Sequence, residues 1–353
     1  MKMKITVLVG LIGLGVALLL NKSEVKKSDP HPWPPEDRLG VSKDTLGPNG
    51  FTKRWTNAQG YKLFSYFWPT TVDKPKGILL LLHGHGVNVV FEFLKSSGVG
   101  VERKYAGSWI EELNKQGYSC CGVDVQSKGR SGGYKGLKNY FNSFDDVVDD
   151  DFAFIDKLPD LGGEAFSSDL PLFPFGVSMG GARTACLLLR NEKRFKGALL
   201  YAPMLSLERV SKQGLNPYLK PLISLINAIG PHWRLAKASK NTVFPDLQDE
   251  FDNDFFCDQS MARVRVASEY LRVTNNIMQN LDKITIPFVT FHADGDTMVD
   301  PEGSRQLVAK ASSKIKRYEN CPNSWHILIN EPGNEVSLQK TIAFLEEVNP
   351  VSS

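Results

Sequence analysis

The sequence predicts an α/β fold, a mostly parallel central sheet flanked by helices, with a helical insertion late in the chain. Three observations carry this. Residues 77–82, 170–177, 196–201 and 286–291 are short, nearly continuous apolar runs, the pattern of strands buried on both faces. Between them lie stretches with apolar residues at helical spacing, as in 109–116, 144–158 and 181–190. The run 170–177 passes straight into Gly176-Val177-Ser178-Met179-Gly180-Gly181 and then into a helix former run. This is a serine held between a strand and a helix in a turn with room for strained backbone.

Length and composition bound the rest. The chain has 353 residues, of which 42% are hydrophobic and 23% charged, so it can bury a sizeable core. The net charge of +3, with no dense Lys/Arg block, gives no support to a nucleic-acid partner. The five cysteines, Cys120, Cys121, Cys186, Cys257 and Cys321, are odd in number and lie without metal-ligand spacing. They read as buried free thiols rather than a disulfide framework.

Residues 5–20 are apolar and flanked by Lys2, Lys4, Lys22, Lys26 and Lys27. As a helix they would reach about 24 Å, against a hydrocarbon core of about 30 Å. No small-residue cleavage pattern follows, so residues 1–21 read as a signal anchor rather than a cleaved signal peptide. The expectation is a membrane-associated, single-pass protein with its main domain on the cytosolic side. Residues 22–50 are rich in proline and read as a linker or an arm on the domain surface, with Trp33 as an anchor.

The domain itself spans 51–348. Residues 51–56 and 61–68 alternate around Asn57-Ala58-Gln59-Gly60 and read as a hairpin. The strand at 77–82 ends in His83-Gly84-His85-Gly86, a small-residue turn where open α/β sheets place ligands. Its predicted contribution is the backbone N–H of His85; both imidazoles read as structural. A helix at 109–116 precedes a strand at 118–125. Residues 144–158 carry Asp145, Asp146, Asp149, Asp150 and Asp151. Phe144, Val147, Val148, Phe152 and Ile155 make a helical stripe, so the acids read as a solvated face rather than a metal site. After the strand at 196–201 the pattern changes. Residues 204–282 hold Leu215, Tyr218, Leu219, Leu222, Ile223, Leu225, Ile226, Ile229 and Trp233 without strand alternation. They read as a helical insertion lying over the sheet as a lid, whose Leu and Ile suit either an apolar acyl-chain tunnel or a packed cap. The strand at 286–291 leads to Asp294, Asp296 and Asp300. A helix at 304–311, a strand at 315–318, the loop Asn323-Ser324-Trp325-His326 and a helix at 335–348 complete the chain.

The chemistry-bearing residues come in the order Ser178, an aspartate near 296, His326, each after a strand. A serine hydroxyl is a weak nucleophile at neutral pH. A histidine must take its proton, and an ionised aspartate must hold that histidine in the right tautomer. The serine turn is a nucleophile elbow, and the order Ser…Asp…His is that of α/β hydrolases. The N–H groups of His85 and Met179 converge as an oxyanion hole. No metal or organic cofactor is required by this chemistry.

With these residues in view, the chain resembles the monoacylglycerol lipase-like branch of the α/β hydrolases, which includes lysophospholipase-like and caffeoylshikimate esterase-like proteins. The resemblance runs over about 51–348. It rests on His83-Gly84-His85-Gly86, the 176–181 elbow, Ala202-Pro203-Met204, Ile284-Thr285-Ile286-Pro287, Asp296-Thr297-Met298-Val299-Asp300-Pro301 and Trp325-His326. It implies an α/β-hydrolase fold and Asp296 as the acid, ahead of Asp294 and Asp300. Residues 126–131, Gln-Ser-Lys-Gly-Arg-Ser, depart from the family's Gly-His-Gly-x-Ser pattern. The expected function is hydrolysis of lipid carboxylic esters, monoacylglycerol or lysophospholipid, with Ser178, Asp296 and His326 as the triad. The expected partners are that lipid ester and a membrane met through residues 5–20. A small aromatic-ester esterase, a peptidase, an acyltransferase and a non-catalytic ligand-binding protein are the alternatives.

Overall fold

The computed structural model describes residues 39–212, 222–236 and 240–350. Its centre is an eight-stranded sheet in the order β1-β2-β4-β3-β5-β6-β9-β10. The strands are β1 (Phe51–Thr56), β2 (Lys62–Trp68), β3 (Gly77–Leu82), β4 (Tyr118–Val123), β5 (Leu172–Val177) and β6 (Ala198–Tyr201), then β9 (Phe288–His292) and β10 (Lys316–Asn320). Two short strands, β7 (Arg234–Ala236) and β8 (Ala262–Arg263), pair apart from it. The β1–β2 hairpin and the β2–β4 pair are antiparallel; the pairs from β4 onward are parallel. Every residue of β3, β4 and β5 is buried, as their continuous apolar runs require. The chain steps from β3 to β4 on one side and returns to β5 on the other. That reversal opens a crevice at the carboxyl ends of β3 and β5, the place where such sheets take ligands.

Helices cover both faces. They are α1 (Val89–Phe93), α2 (Trp109–Lys115), α3 (Phe144–Asp156), α4 (Met179–Asn191), α5 (Ile223–Ile229), α6 (Pro245–Asn253), α7 (Val264–Gln279), α8 (Pro301–Lys310) and α9 (Asn334–Val348). Side chains at Asn88, Ser108, Ser143 and Asp300 cap α1, α2, α3 and α8 by accepting first-turn amides. Helix α3 differs in detail from the sequence pattern. Its buried stripe is Phe144, Val147, Val148, Phe154 and Ile155, and Phe152 is only half-buried. The acids are not all solvated. Asp145 and Asp149 pair with exposed Arg190. Asp151, however, is fully buried in a two-pronged pair with Arg183 of α4. Asp150 accepts from Asn57 and Gln126. The α3–α4 contact therefore contains a buried charge pair within an apolar seam. All five cysteines are buried free thiols.

Between β6 and β9 the chain leaves the sheet. This insertion is helical in α5, α6 and α7, but it also contains the β7–β8 ribbon, which its Leu/Ile-rich pattern did not announce. Helix α7 docks on the body. Glu269 accepts the Phe144 amide at 3.0 Å, and the Tyr270 ring packs against Phe141 and Phe144. Leu225 and Ile229, part of the stretch read as an apolar tunnel or a packed cap, are 61% and 65% exposed. Leu215, Tyr218 and Leu219 lie outside the described residues.

The expected membrane-associated localisation is corrected. Among the described residues no helix is long and apolar enough to cross a membrane. The signal anchor expected over 5–20, and Trp33, lie outside the described residues. At the end of the proline-rich segment, Lys43–Leu46 forms one helical turn that packs on the body. There the buried Thr45 hydroxyl donates to the Arg103 carbonyl, and Trp68 Nε1 donates to the Thr45 carbonyl.

The buried Arg183–Asp151 pair is a testable element of the fold. Arg183→Met leaves the Asp151 carboxylate uncompensated and should cost about 3–5 kcal/mol, seen as a lower urea midpoint. Adding Asp151→Leu should recover most of that loss, because it removes the orphaned charge.

Candidate active site

Ser178 sits at the end of β5 with φ 54° and ψ −114°, a left-handed conformation that a non-glycine residue adopts only under constraint. The constraint is visible in its backbone bonds. Its N–H donates to the Tyr201 carbonyl at 2.9 Å, and its own carbonyl accepts the amides of Gly181 and Met204 at 2.9 and 2.8 Å. Helix α4 begins at the next residue. A β-carbon on Gly180 would collide with the Leu82 carbonyl at the end of β3, and one on Gly176 would meet the Gly180 carbonyl. Both glycines are needed by close approach, as the motif suggested.

His326 Nε2 lies 3.0 Å from Ser178 Oγ, and its Nδ1 lies 2.7 Å from Asp296 Oδ2. A carboxylate only accepts, so Nδ1 carries the proton and Nε2 presents a lone pair to the serine. Asp296 is fully buried and takes four donors. They are His326 and His292 on Oδ2, and the Met298 and Val299 amides on Oδ1. Burial acts to raise the Asp296 carboxyl. The charge of His326 and the hydrogen bonds from His292 and His326 outweigh it and hold the carboxyl below the usual range. For His326 burial acts downward, but the Asp296 charge and hydrogen bond prevail and raise its pKa. The other two candidate acids are elsewhere: Asp294 is exposed and pairs with Arg305, and Asp300 caps α8.

The His83–Gly86 turn lies beside the serine, for a β-carbon on Gly84 would come within 3.4 Å of Ser178 Cβ. His83 is structural, as expected. Its Nε2 accepts the Val125 amide at 3.0 Å, and burial pushes its pKa well down, leaving it neutral. The His85 amide and the Met179 amide, the latter at the first position of α4, meet no acceptor among the described residues.

Several groups around this centre were not found from the sequence. Fully buried Glu331 accepts the amides of Trp325, His326 and Ile327 at 2.7, 2.8 and 2.7 Å, fixing the histidine loop from beneath. Buried Glu92 accepts the Gly84 amide at 3.0 Å, and burial raises its carboxyl pKa. His292 donates to Asp296 while Ser304 holds its other nitrogen at 2.7 Å. Lys128, in the position of the family's missing histidine, is buried with its amine on Asn139 Oδ1; burial lowers its pKa to about 7. A lone Glu in a loop gives no pattern to read, and only its fold partners define its task.

Above Ser178 and His326 is a cavity of about 370 Å³. Val87, Phe91, Leu247, Phe251 and Met298 give it apolar walls. The insertion also contributes Asn241, Gln248, Asp258 and Ser260, a more polar share than its sequence suggested. The carboxylates and histidines near the site are held by one another and by backbone amides. Among the described residues no group of three or more His, Cys, Asp or Glu is arranged to hold a metal ion.

Comparison with known proteins places this geometry in a family. The model of the family described as serine aminopeptidase, S33 (Hydrolase_4) matches residues 94–333. The chain is 26% identical over 290 residues to caffeoylshikimate esterase of Arabidopsis thaliana, covering 80% of this chain and 81% of that protein. It is 22% identical over 285 residues to human monoglyceride lipase, covering 78% and 83%. Among solved structures, a soluble variant of monoglyceride lipase from Saccharomyces cerevisiae, in complex with a substrate analog, superposes with a TM-score of 0.70. That match has 17% identity and covers 91% of this chain and 99% of that one. The chain belongs to the serine aminopeptidase S33 family and is a serine hydrolase of the α/β-hydrolase fold, related to monoglyceride lipases and esterases.

Proposed function

We propose that Ser178, His326 and Asp296 form a catalytic triad that hydrolyses carboxylic esters of lipids, monoacylglycerol or lysophospholipid, through an acyl-enzyme. The observation that carries this is the continuous chain of contacts Ser178 Oγ–His326 Nε2 at 3.0 Å and His326 Nδ1–Asp296 Oδ2 at 2.7 Å. In the first step the Ser178 oxygen bonds to the ester carbonyl carbon as His326 takes its proton. The charge that develops on the carbonyl oxygen meets the N–H groups of His85 and Met179. His326 then gives its proton to the leaving alcohol oxygen as the carbon–oxygen bond breaks. Water repeats the sequence on the acyl-enzyme, releasing the acid and restoring Ser178. Asp296 stays ionised throughout and stabilises the imidazolium.

The apolar walls of the cavity suit an acyl chain, and residues 204–282 serve as the lid that closes over it. The relatives that act on monoglycerides support this substrate class. A second reading, a small aromatic-ester esterase, is favoured by the caffeoylshikimate esterase relative and by the polar share of the insertion's wall.

Ser178→Ala should lower kcat by about 10⁶ with little change in KM, measured on a p-nitrophenyl ester. Turnover that survives this change would sink the assignment. A chain-length series of such esters, run beside monoacylglycerol, a caffeoyl ester and an aminoacyl anilide, separates the substrate classes. Preference for long acyl chains is expected.

The pH dependence follows from His326, which must be neutral to act as base. Its pKa is raised from 6.5, so the acid limb of kcat/KM should have its midpoint above that value, with activity rising as pH rises through it. Asp296→Asn should lower kcat by about 10⁴ and move the limb downward, because the charge that raises the imidazole is gone.

Glu331→Gln should lower kcat about 10- to 100-fold, because an amide cannot accept three backbone N–H bonds and the histidine loop shifts. A loss confined to the melting temperature, with kcat intact, would show that the loop holds without it.

A further inference from the structure

We propose that Tyr270, on helix α7 of the insertion, is a positioning residue that sets the spacing of the two oxyanion amides by holding His85 and Met179 together. This rests on the assignment of those amides above. The Tyr270 hydroxyl lies 2.6 Å from His85 Nδ1 and 3.0 Å from Met179 Sδ, so one buried oxygen touches residues of two separate elements. The tyrosine ring also meets the His85 ring edge to face, with centroids 5.5 Å apart.

The directions of the two hydrogen bonds follow from Met179. A thioether sulfur only accepts and the hydroxyl has one proton, so Tyr270 donates to Met179 Sδ and accepts from His85 Nδ1–H. Burial keeps the His85 imidazole neutral and the Tyr270 phenol protonated, as this arrangement needs.

The turn requires such a hold. His85 stands between Gly84 and Gly86, and Gly86 has φ +77°. A segment of this kind is soft by itself. The insertion grips it at a second point, where the Asp258 amide donates to the Gly86 carbonyl at 2.8 Å. Tyr270 is itself held, by its ring packing on Phe141 and Phe144 and by the neighbouring Glu269 on the Phe144 amide. Met179, at the other end of the hydroxyl, cannot move without α4. The oxyanion amides are therefore spaced from the insertion side, and a displaced α7 would leave the triad intact while misplacing the His85 N–H. An oxyanion donor lost outright lowers kcat about 10²- to 10³-fold, so a donor merely loosened should lower it by less.

The test is Tyr270→Phe, which keeps the ring and removes the hydroxyl. On a p-nitrophenyl ester, kcat should fall about 10- to 100-fold with KM within about twofold. The rate at which a fluorophosphonate modifies Ser178 should fall by the same factor, because that step also passes through the oxyanion site. In a His85→Ala background the same change should have little further effect, since one of the two residues that the hydroxyl joins is already gone. A kcat within about twofold of wild type, or an equal loss in both backgrounds, would overturn the proposal. Failure of the functional reading looks different: ester hydrolysis by the wild-type protein would then be insensitive to Ser178→Ala.

Discussion

The arrangement depends on one close approach. Helix α4 begins so near the end of β3 that only the hydrogen of Gly180 separates it from the Leu82 carbonyl. Any β-carbon there would force the helix outward. With the helix seated, Ser178 takes its left-handed conformation, and its carbonyl is consumed by Gly181 and Met204. The His83–Gly86 turn is brought against the serine. The strain at Ser178 is held by these bonds rather than relieved, which is the usual state of a residue aimed out of a sheet at a ligand.

Around that centre, burial and partners contend for each ionisable group, and the outcome differs by position. His83 has no carboxylate partner, so burial leaves it neutral and it serves the Val125 amide. Asp296 is equally enclosed, yet its four donors, two of them imidazoles, keep it ionised. His326 gains from that charge more than it loses by burial. The two carboxylates that shape the site's loops act without entering its chemistry: Glu331 holds the histidine loop and Glu92 the Gly84 amide. Each replaces water that a buried backbone N–H would otherwise lack.

The insertion departs most from its sequence pattern. Its leucines and isoleucines suited an apolar tunnel or a packed cap, but Leu225 and Ile229 face outward and the cavity receives Asn241, Gln248, Asp258 and Ser260 beside Leu247 and Phe251. Helical periodicity reports which face of a helix is apolar, not whether that face meets a cavity or solvent. The membrane expectation drawn from residues 5–20 has no counterpart among the described helices. At residue 128 the lysine in place of a histidine is accommodated by Asn139 and by proximity to His85, so the departure from the family pattern is absorbed locally.

By itself the sequence marked the central strands, because short continuous apolar runs bounded by turns are the pattern of strands buried on both faces. It also determined the serine turn, because Gly176 and Gly180 leave a signature that sterics demand, and it fixed the order serine, acid, histidine. Tertiary structure decided what depends on residues far apart in the chain. Ser178 and His326 are 148 positions apart, and His85 and Tyr270 are 185 apart. Asp294, Asp296 and Asp300 share one strand end, and only the path of the loop selects the one that reaches the imidazole. Glu331 gains its task from three amides that converge on it, and Asp151 leaves the solvated face because Arg183 of α4 reaches it. Local pattern encodes which backbone a segment prefers. The partner that satisfies a buried polar group is set only when distant segments pack.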